Sequence, residues 1–169
     1  PAGRILRAAM EAAECVTALL LLARTPELID APDTPLAPML SREIERCQPL
    51  LNGKPVFLEL VVEFDFSVFA RRELLSAAAG NLIRNACQYT EKGSVRVRLV
   101  RQAIIVEDTG PGVPAAIRAR LSNELAFSKA GSSGSGLGLA LVKRICEHLG
   151  AILVVGERPN GGSVFSIEF

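Results

Sequence analysis

Over residues 3–24 the apolar positions fall at helical spacing. Ile5, Ala9, Ala12, Val16, Leu19 and Ala23 recur at intervals of four and three, and Arg4, Arg7, Glu11 and Glu14 form a charged stripe elsewhere on the cylinder. Leu6, Met10, Ala13 and Leu20 widen the apolar face. A face that wide suits either a helical bundle completed by another helix or chain, or packing on the helix's own domain, and periodicity does not choose between them. Residues 25–35 hold Pro26, Pro32 and Pro35 among Asp and Thr, the composition of a linker, so the expected domains are 1–30 and 31–169.

The pattern changes repeatedly after the linker. A short helix is expected from about Pro38, with Leu40, Ile44, Cys47 and Leu51 on one face, kinked or ended at Pro49 and stopped by Asn52-Gly53. Residues 56–68 are rich in β-formers and predict one long strand or two short ones, with Glu59 and Glu63 outward. Residues 71–89 read as a helix whose core face is Leu75, Ala78, Leu82 and Ala86, broken at Lys92-Gly93. Residues 94–100 alternate, with Val95, Val97 and Leu99 inward and Arg96 and Arg98 outward, and turn near Arg101-Gln102 into a second strand over 103–107. Leu137, Leu141, Ile145 and Leu149 predict another helix, capped by Gly150, and strands over 151–156 and 163–169 flank the turn Pro159-Asn160-Gly161-Gly162. The expected class is α+β, with the strands in one mixed or antiparallel sheet and helices on one face.

Composition narrows the function without supplying it. The chain has 169 residues and a formal net charge of +1, which gives no electrostatic reason to expect nucleic acid or an anionic membrane as partner. Its longest uncharged apolar run, residues 15–23, is too short to cross a bilayer, and nothing resembles a signal peptide, so a soluble chain is expected. Cys15, Cys47, Cys87 and Cys146 are isolated, without a C-x-x-C pair, and are expected to be buried free thiols.

The candidate chemistry lies between residues 81 and 139. Asp108 ends a strand-like run, where its carboxylate can accept a charge-assisted hydrogen bond from an amine such as adenine's. Asp108-Thr109-Gly110-Pro111-Gly112 opens a segment that Gly134-Ser135-Gly136-Leu137-Gly138-Leu139 closes, and glycines allow backbone to approach a ligand closely. The second cluster runs into a helix whose free N–H groups and positive dipole end suit a phosphate chain. Between the clusters, residues 121–135 offer few anchors beyond Phe127 and are expected to form a mobile cover. Upstream, Asn81, Asn85 and Tyr89 lie four apart on one exposed helix face, and an Asn carbonyl is a hard oxygen donor suited to Mg²⁺.

In order, residues 81–90 (Asn-Leu-Ile-Arg-Asn-Ala-Cys-Gln-Tyr-Thr), residues 108–114, Phe127 and residues 134–139 resemble the N, first glycine, F and second glycine boxes of sensor histidine kinases of two-component systems. Gly161-Gly162-Ser163-Val164-Phe165 is similar to that family's closing glycine strand. The resemblance spans about residues 36–169 and implies the Bergerat fold: a two-layer α/β sandwich with a mixed, mostly antiparallel sheet, here preceded by one long helix. It implies ATP and Mg²⁺ as cofactors, with Asn85 as the metal ligand, Asn81 assisting at the phosphates, Asp108 bonding the adenine amine and Tyr89 contacting the base. Gly110 and Gly112 would shape the pocket floor and Phe127 would anchor the lid. Gly134, Gly136 and Gly138, with Leu137 between them, would receive the phosphates. Gln88 departs from the family's pattern, which usually has Lys or Arg there; Lys129 is the candidate substitute for that charge.

The amino-terminal helix resembles the second helix of the family's dimerisation and phosphoacceptor hairpin, whose partner helix and acceptor histidine are not in this sequence. The reading implied is the ATP-binding portion of a kinase that passes the γ-phosphoryl of ATP to a histidine on its own dimerisation helix, then to a cognate response regulator. The parent would be a homodimer and this chain the cytoplasmic portion of a membrane-anchored bacterial sensor. His148, the single histidine, falls in a last helical turn, where an imidazolium simply suits the dipole. The rivals are an ATPase of the gyrase or mismatch-repair type, which has a water-activating Glu where this chain has Asn81, and a non-enzymatic module that docks according to bound nucleotide.

Overall fold

The computed structural model describes residues 31–122 and 136–169, together with Ile5, Ala9, Ala12, Ala13, Val16, Leu19, Leu20, Leu22 and Ala23 of the amino-terminal stretch. Those amino-terminal residues are all helical, as their spacing predicts. Ile5, Val16, Leu19 and Leu20 are at least half exposed, and Leu22 alone among the described residues of that stretch packs against the core.

A five-stranded sheet carries the rest. Its strands are β2 (Val56–Val62), β4 (Gly93–Val100), β5 (Ala103–Asp108), β7 (Ser163–Glu168) and β6 (Ile152–Glu157), in that spatial order. β2 and β4 are parallel, and the other neighbours are antiparallel, so the sheet is mixed and mostly antiparallel as expected. Strand alternation sorts the two faces. Val95, Val97 and Leu99 of β4, Ile104 and Val106 of β5, and Phe165 and Ile167 of β7 point into the core. On that face lie α1 (Leu36–Cys47), α2 (Arg72–Tyr89) and α4 (Gly136–Leu149). The core face expected for α2 is buried: Leu75, Ala78, Leu82 and Ala86 are each no more than 5% exposed.

On the opposite face, the middle of β2, β4 and β5 carries charge, while Phe57, Ile152 and Val154 are exposed. Arg96 pairs with Glu59, while Arg98 reaches Glu63 at 2.7 Å and Glu107 at 3.3 Å. Exposed pairs of this kind contribute little to stability individually, about 0–1 kcal/mol, so they specify the face more than they strengthen it.

Two local features differ from the sequence expectation, and a third decides between alternatives it left open. The expected linker ends early: β1 (Asp33–Pro35) pairs antiparallel with β3 (Ser67–Phe69), and the Thr34 hydroxyl donates to the Ala70 carbonyl at 2.7 Å. Prolines suppressed the strand signal there, yet a two-stranded ribbon tolerates them because its outer edges need no partner. The β-rich run 56–68 resolves to two strands, since it breaks where Glu63 and Phe64 both donate backbone N–H to the Leu99 carbonyl. A helix α3 (Ala115–Ser122) begins after Pro114 and has almost no amphipathic pattern, so periodicity gave no sign of it. Of the expected cover over 121–135, residues 123–135 lie outside the described residues.

Cys47, Cys87 and Cys146 are buried and form no disulfide, as expected; Cys15 lies outside the described residues. Burial, the largest cause, pushes the thiols of Cys87 and Cys146 each up to about 12. Raised folded-state values stabilise the protein fully below the unfolded thiol range near pH 9. Above it the unfolded chain sheds thiol protons that the folded chain still holds, and stability falls until pH passes about 12. Urea unfolding between pH 9 and 11 is expected to show a fall of at most about 1.4 kcal/mol per pH unit for each thiol. The slope should flatten in Cys87→Ala and Cys146→Ala.

Candidate functional site

The central strand β5 ends in Asp108, which is 4% exposed. Such a carboxylate needs donors, and three are built around it. The Gly110 backbone N–H donates to Oδ1 at 2.8 Å, the Ser163 N–H donates to Oδ1 at 3.4 Å, and the Ser163 hydroxyl donates to Oδ2. Arg158, in the β6–β7 turn, donates Nη1–H to the Asp108 carbonyl at 3.4 Å. Thr109 anchors the next residue to the start of β4: its Oγ1 accepts from the Ser94 N–H at 2.9 Å, and its N–H donates to the Ser94 carbonyl at 3.1 Å.

Two glycines make this crowding possible. Gly162 sits at φ +103, and a Cβ there would overlap the Asp108 carbonyl oxygen. At Gly110 a Cβ would meet Asp108 Oδ1 at 2.9 Å, the Tyr89 carbonyl at 3.2 Å and Thr90 Oγ1 at 3.3 Å.

Beside the carboxylate is a cavity of about 170 Å³. Asn85, Ala86 and Tyr89 of α2 form one wall, and Pro111 to Pro114 with Ile117 of α3 form another. Leu139 of α4 and Ser163 and Phe165 of β7 complete it. An apolar cavity of ~150 Å³ takes up a benzene-sized ring, so this space suits a planar heterocycle whose polar edge meets Asp108.

The predicted stripe on α2 is graded in burial. Asn81 is buried, Asn85 half-buried and Tyr89 49% exposed. The expectation of an exposed stripe therefore fails at Asn81, because α4 packs on it: a Cβ on Gly138 would lie 2.8 Å from Asn81 Oδ1 and 3.9 Å from Asn85 Nδ2. Asn81 Nδ2 donates to the Ala77 carbonyl at 2.7 Å, leaving Oδ1 toward Gly138.

Among the predicted site residues, Asn85, Tyr89, Asp108 and Gly112 line the cavity. Gly110 sits behind the carboxylate, and Asn81 and Gly138 face each other one turn along α2. Gly136 and Leu137 open α4. Phe127, Lys129 and Gly134 lie outside the described residues.

Ser163 and Phe165 received no role from the sequence, although the Gly161-Gly162 turn that delivers them was visible. Among the described residues no cluster of His, Cys, Asp and Glu could hold a metal ion.

The crowding at Gly162 yields a direct expectation. Gly162→Ala combines a left-handed backbone with an overlap on Asp108, and is expected to cost about 1–3 kcal/mol in urea unfolding. Gly161→Ala meets no atom within 4 Å and carries only the backbone strain of φ +88, so it should cost less.

Residues 70–169 match the family model described as histidine kinase-, DNA gyrase B-, and HSP90-like ATPase. The chain is 30% identical over 164 residues to the sensor histidine kinase AruS of Pseudomonas aeruginosa, an alignment covering 87% of this chain and 16% of AruS. Among solved structures it is similar to the mycobacterial sensor histidine kinase MprB, with 25% identity, a TM-score of 0.67, and coverage of 82% of this chain and 95% of that one. It is also similar to full-length ShkA in complex with AMPPNP, with 26% identity, a TM-score of 0.70, and coverage of 98% of this chain and 37% of that one. The chain thus spans well under half the length of the curated relatives it matches. With the mixed sheet, the ordered motifs and the buried strand-end carboxylate in agreement, the chain belongs to the histidine kinase-, DNA gyrase B-, and HSP90-like ATPases, as a histidine kinase catalytic ATP-binding domain.

Proposed function

We propose that this domain presents ATP to a histidine imidazole on a dimerisation helix of its parent protein, for relay to a response regulator. The observation that carries the reading is the buried Asp108 carboxylate at the edge of a ring-sized cavity, between the Asn85 face of α2 and the first turn of α4. In this reading Asp108 accepts from the adenine amine, Tyr89 covers the base, and Gly110 and Gly112 keep the floor open. The N–H groups of α4 near Gly136, Leu137 and Gly138 receive the phosphates, with Gly134, Phe127 and Lys129 contributing from the cover. Asn85 offers a neutral oxygen at the cavity wall, and a single carboxamide plus phosphate oxygens and water fits Mg²⁺. Mg²⁺, when bound, neutralises phosphate charge. Asn81 fixes the approach of α2 to Gly138 and so the distance between Asn85 and the phosphates.

Phosphoryl transfer asks the protein mainly to position its reactants and stabilise charge, which helix N–H groups and amide oxygens do without an internal base. The ATPase alternative is disfavoured by Asn81, which occupies the place of the water-activating acid and spends its Nδ2 on Ala77. The domain assignment, 1–30 as part of the dimerisation hairpin and 31–169 as the ATP-binding unit, the homodimeric parent and its membrane anchor belong to the same proposal.

Two measurements test it. Asp108→Asn replaces a charge-assisted bond by a weaker one and is expected to lower ATP affinity roughly 10- to 100-fold in calorimetry; unchanged affinity would move the adenine site elsewhere. The chain alone is expected to bind ATP without labelling itself. His148 lies in the last turn of α4, and at 1.5 Å per residue it is roughly 18 Å from the phosphate-binding start of that helix. Label from γ-phosphate should appear only on an added dimerisation fragment carrying the acceptor histidine. Acid-labile label on this chain, lost in His148→Ala, would reverse the assignment of roles.

A further inference from the structure

We propose that Lys54 is a positioning residue of the nucleotide site: a tethered cation that gathers the carboxyl-terminal carbonyls of α2 and so fixes the Tyr89–Thr90 backbone against Gly110 and Asp108. The proposal rests on the reading of Asp108 as the base-binding carboxylate.

Lys54 is delivered by the turn between α1 and β2. Gly53 is in the left-handed region at φ +81, and the Lys54 N–H donates to the Leu51 carbonyl at 2.9 Å. The side chain then runs to the end of α2. Its Nζ lies 3.3 Å from the Cys87 carbonyl, 3.0 Å from that of Gln88 and 3.3 Å from that of Thr90, and 2.9 Å from Glu91 Oε1. Three N–H donors thus face four acceptors, which saturates the ammonium.

The last carbonyls of a helix lack partners within it and carry the negative end of its dipole, so a cation is the natural cap. The Lys54 side chain is 22% exposed and that of Glu91 78% exposed, so the carbonyls provide the hold and the surface carboxylate adds little.

What the cap holds is the inner wall of the site. The Tyr89 carbonyl and Thr90 Oγ1 stand 3.2 and 3.3 Å from the position a Gly110 Cβ would take, and Asp108 Oδ1 stands 2.9 Å from it. Thr90 is fully buried, and its hydroxyl has no hydrogen-bond partner among the described residues. Its backbone N–H bonds to Ala86, and its carbonyl is held by Lys54. A shift of this segment toward Gly110 pushes directly on the atoms that orient the carboxylate.

The test uses the full chain and Lys54→Met, which keeps the stem and removes the charge. Without nucleotide, amides of residues 88–92 should exchange severalfold faster than in the wild type. Affinity for adenosine and for ATP should fall by the same factor, about five- to tenfold, because the base end alone is disturbed. In Lys54→Ala, added ethylammonium should restore adenosine affinity, a rescue that a purely packing role would not give; this arm also serves if Lys54→Met does not fold. Wild-type exchange or wild-type adenosine affinity in Lys54→Met overturns the proposal, as does a loss confined to ATP, which would place Lys54 at the phosphates. Asp108→Asn is run in parallel. If it binds adenosine like the wild type, the base-site reading fails, whereas the nucleotide-free exchange result reports on the Lys54 cap independently.

Discussion

The constraint on which this domain turns is the burial of one carboxylate. Removing a charged group from water costs several kcal/mol unless hydrogen bonds replace its hydration, so Asp108 dictates what surrounds it. Two backbone N–H groups and the Ser163 hydroxyl meet its oxygens, and they come from segments far apart in sequence. Gly162 must lack a side chain for β7 to enter at that distance, and Gly110 must lack one for the chain to double back. Gly110 and Gly162 are thus the geometric consequence of placing a charge at the end of a central strand.

Much of this was legible in the sequence because the relevant signals are local. Alternation over 94–100 and four-residue spacing along α2 named the buried residues directly, since a strand repeats every two residues and a helix every 3.6. The motif order located Asp108, Asn85 and Tyr89. What escaped depends on partners distant in sequence. β1 is three residues with a proline and exists only because Ser67–Phe69 pairs with it. α3 has no apolar stripe to read. Asn81 looked like surface because its cover, the Gly138 turn of α4, comes 57 residues later in the sequence. Lys54 resembles any surface lysine after a turn until α2 is seen to end upon it.

The two faces of the sheet obey different rules. Inward positions are apolar and close-packed against three helices, so that face fixes where α2 and α4 lie and therefore the width of the cavity between them. Outward, the middle of β2, β4 and β5 carries alternating charge, with Arg98 between Glu63 and Glu107, whereas Phe57 of β2 and Ile152 and Val154 of β6 are exposed apolar positions. The charged positions tolerate substitution in stability terms, since exposed pairs contribute little individually.

The one parallel pairing in the sheet has a bearing on how the chain reaches this structure. Glu59 and Arg96, partners on β2 and β4, are 37 residues apart, with the whole of α2 between them. The antiparallel hairpin of β4 and β5 closes over a two-residue turn at Arg101-Gln102 and can form early, whereas the edge strand β2 must bear the entropy of a long closure before its ladder returns anything. Lys54, two residues before β2, meets the end of α2 only when β2 lies beside β4. Until then the end of α2 lacks its cap, and a ligand that needs Asn85, Tyr89 and Asp108 together can recognise only the finished fold.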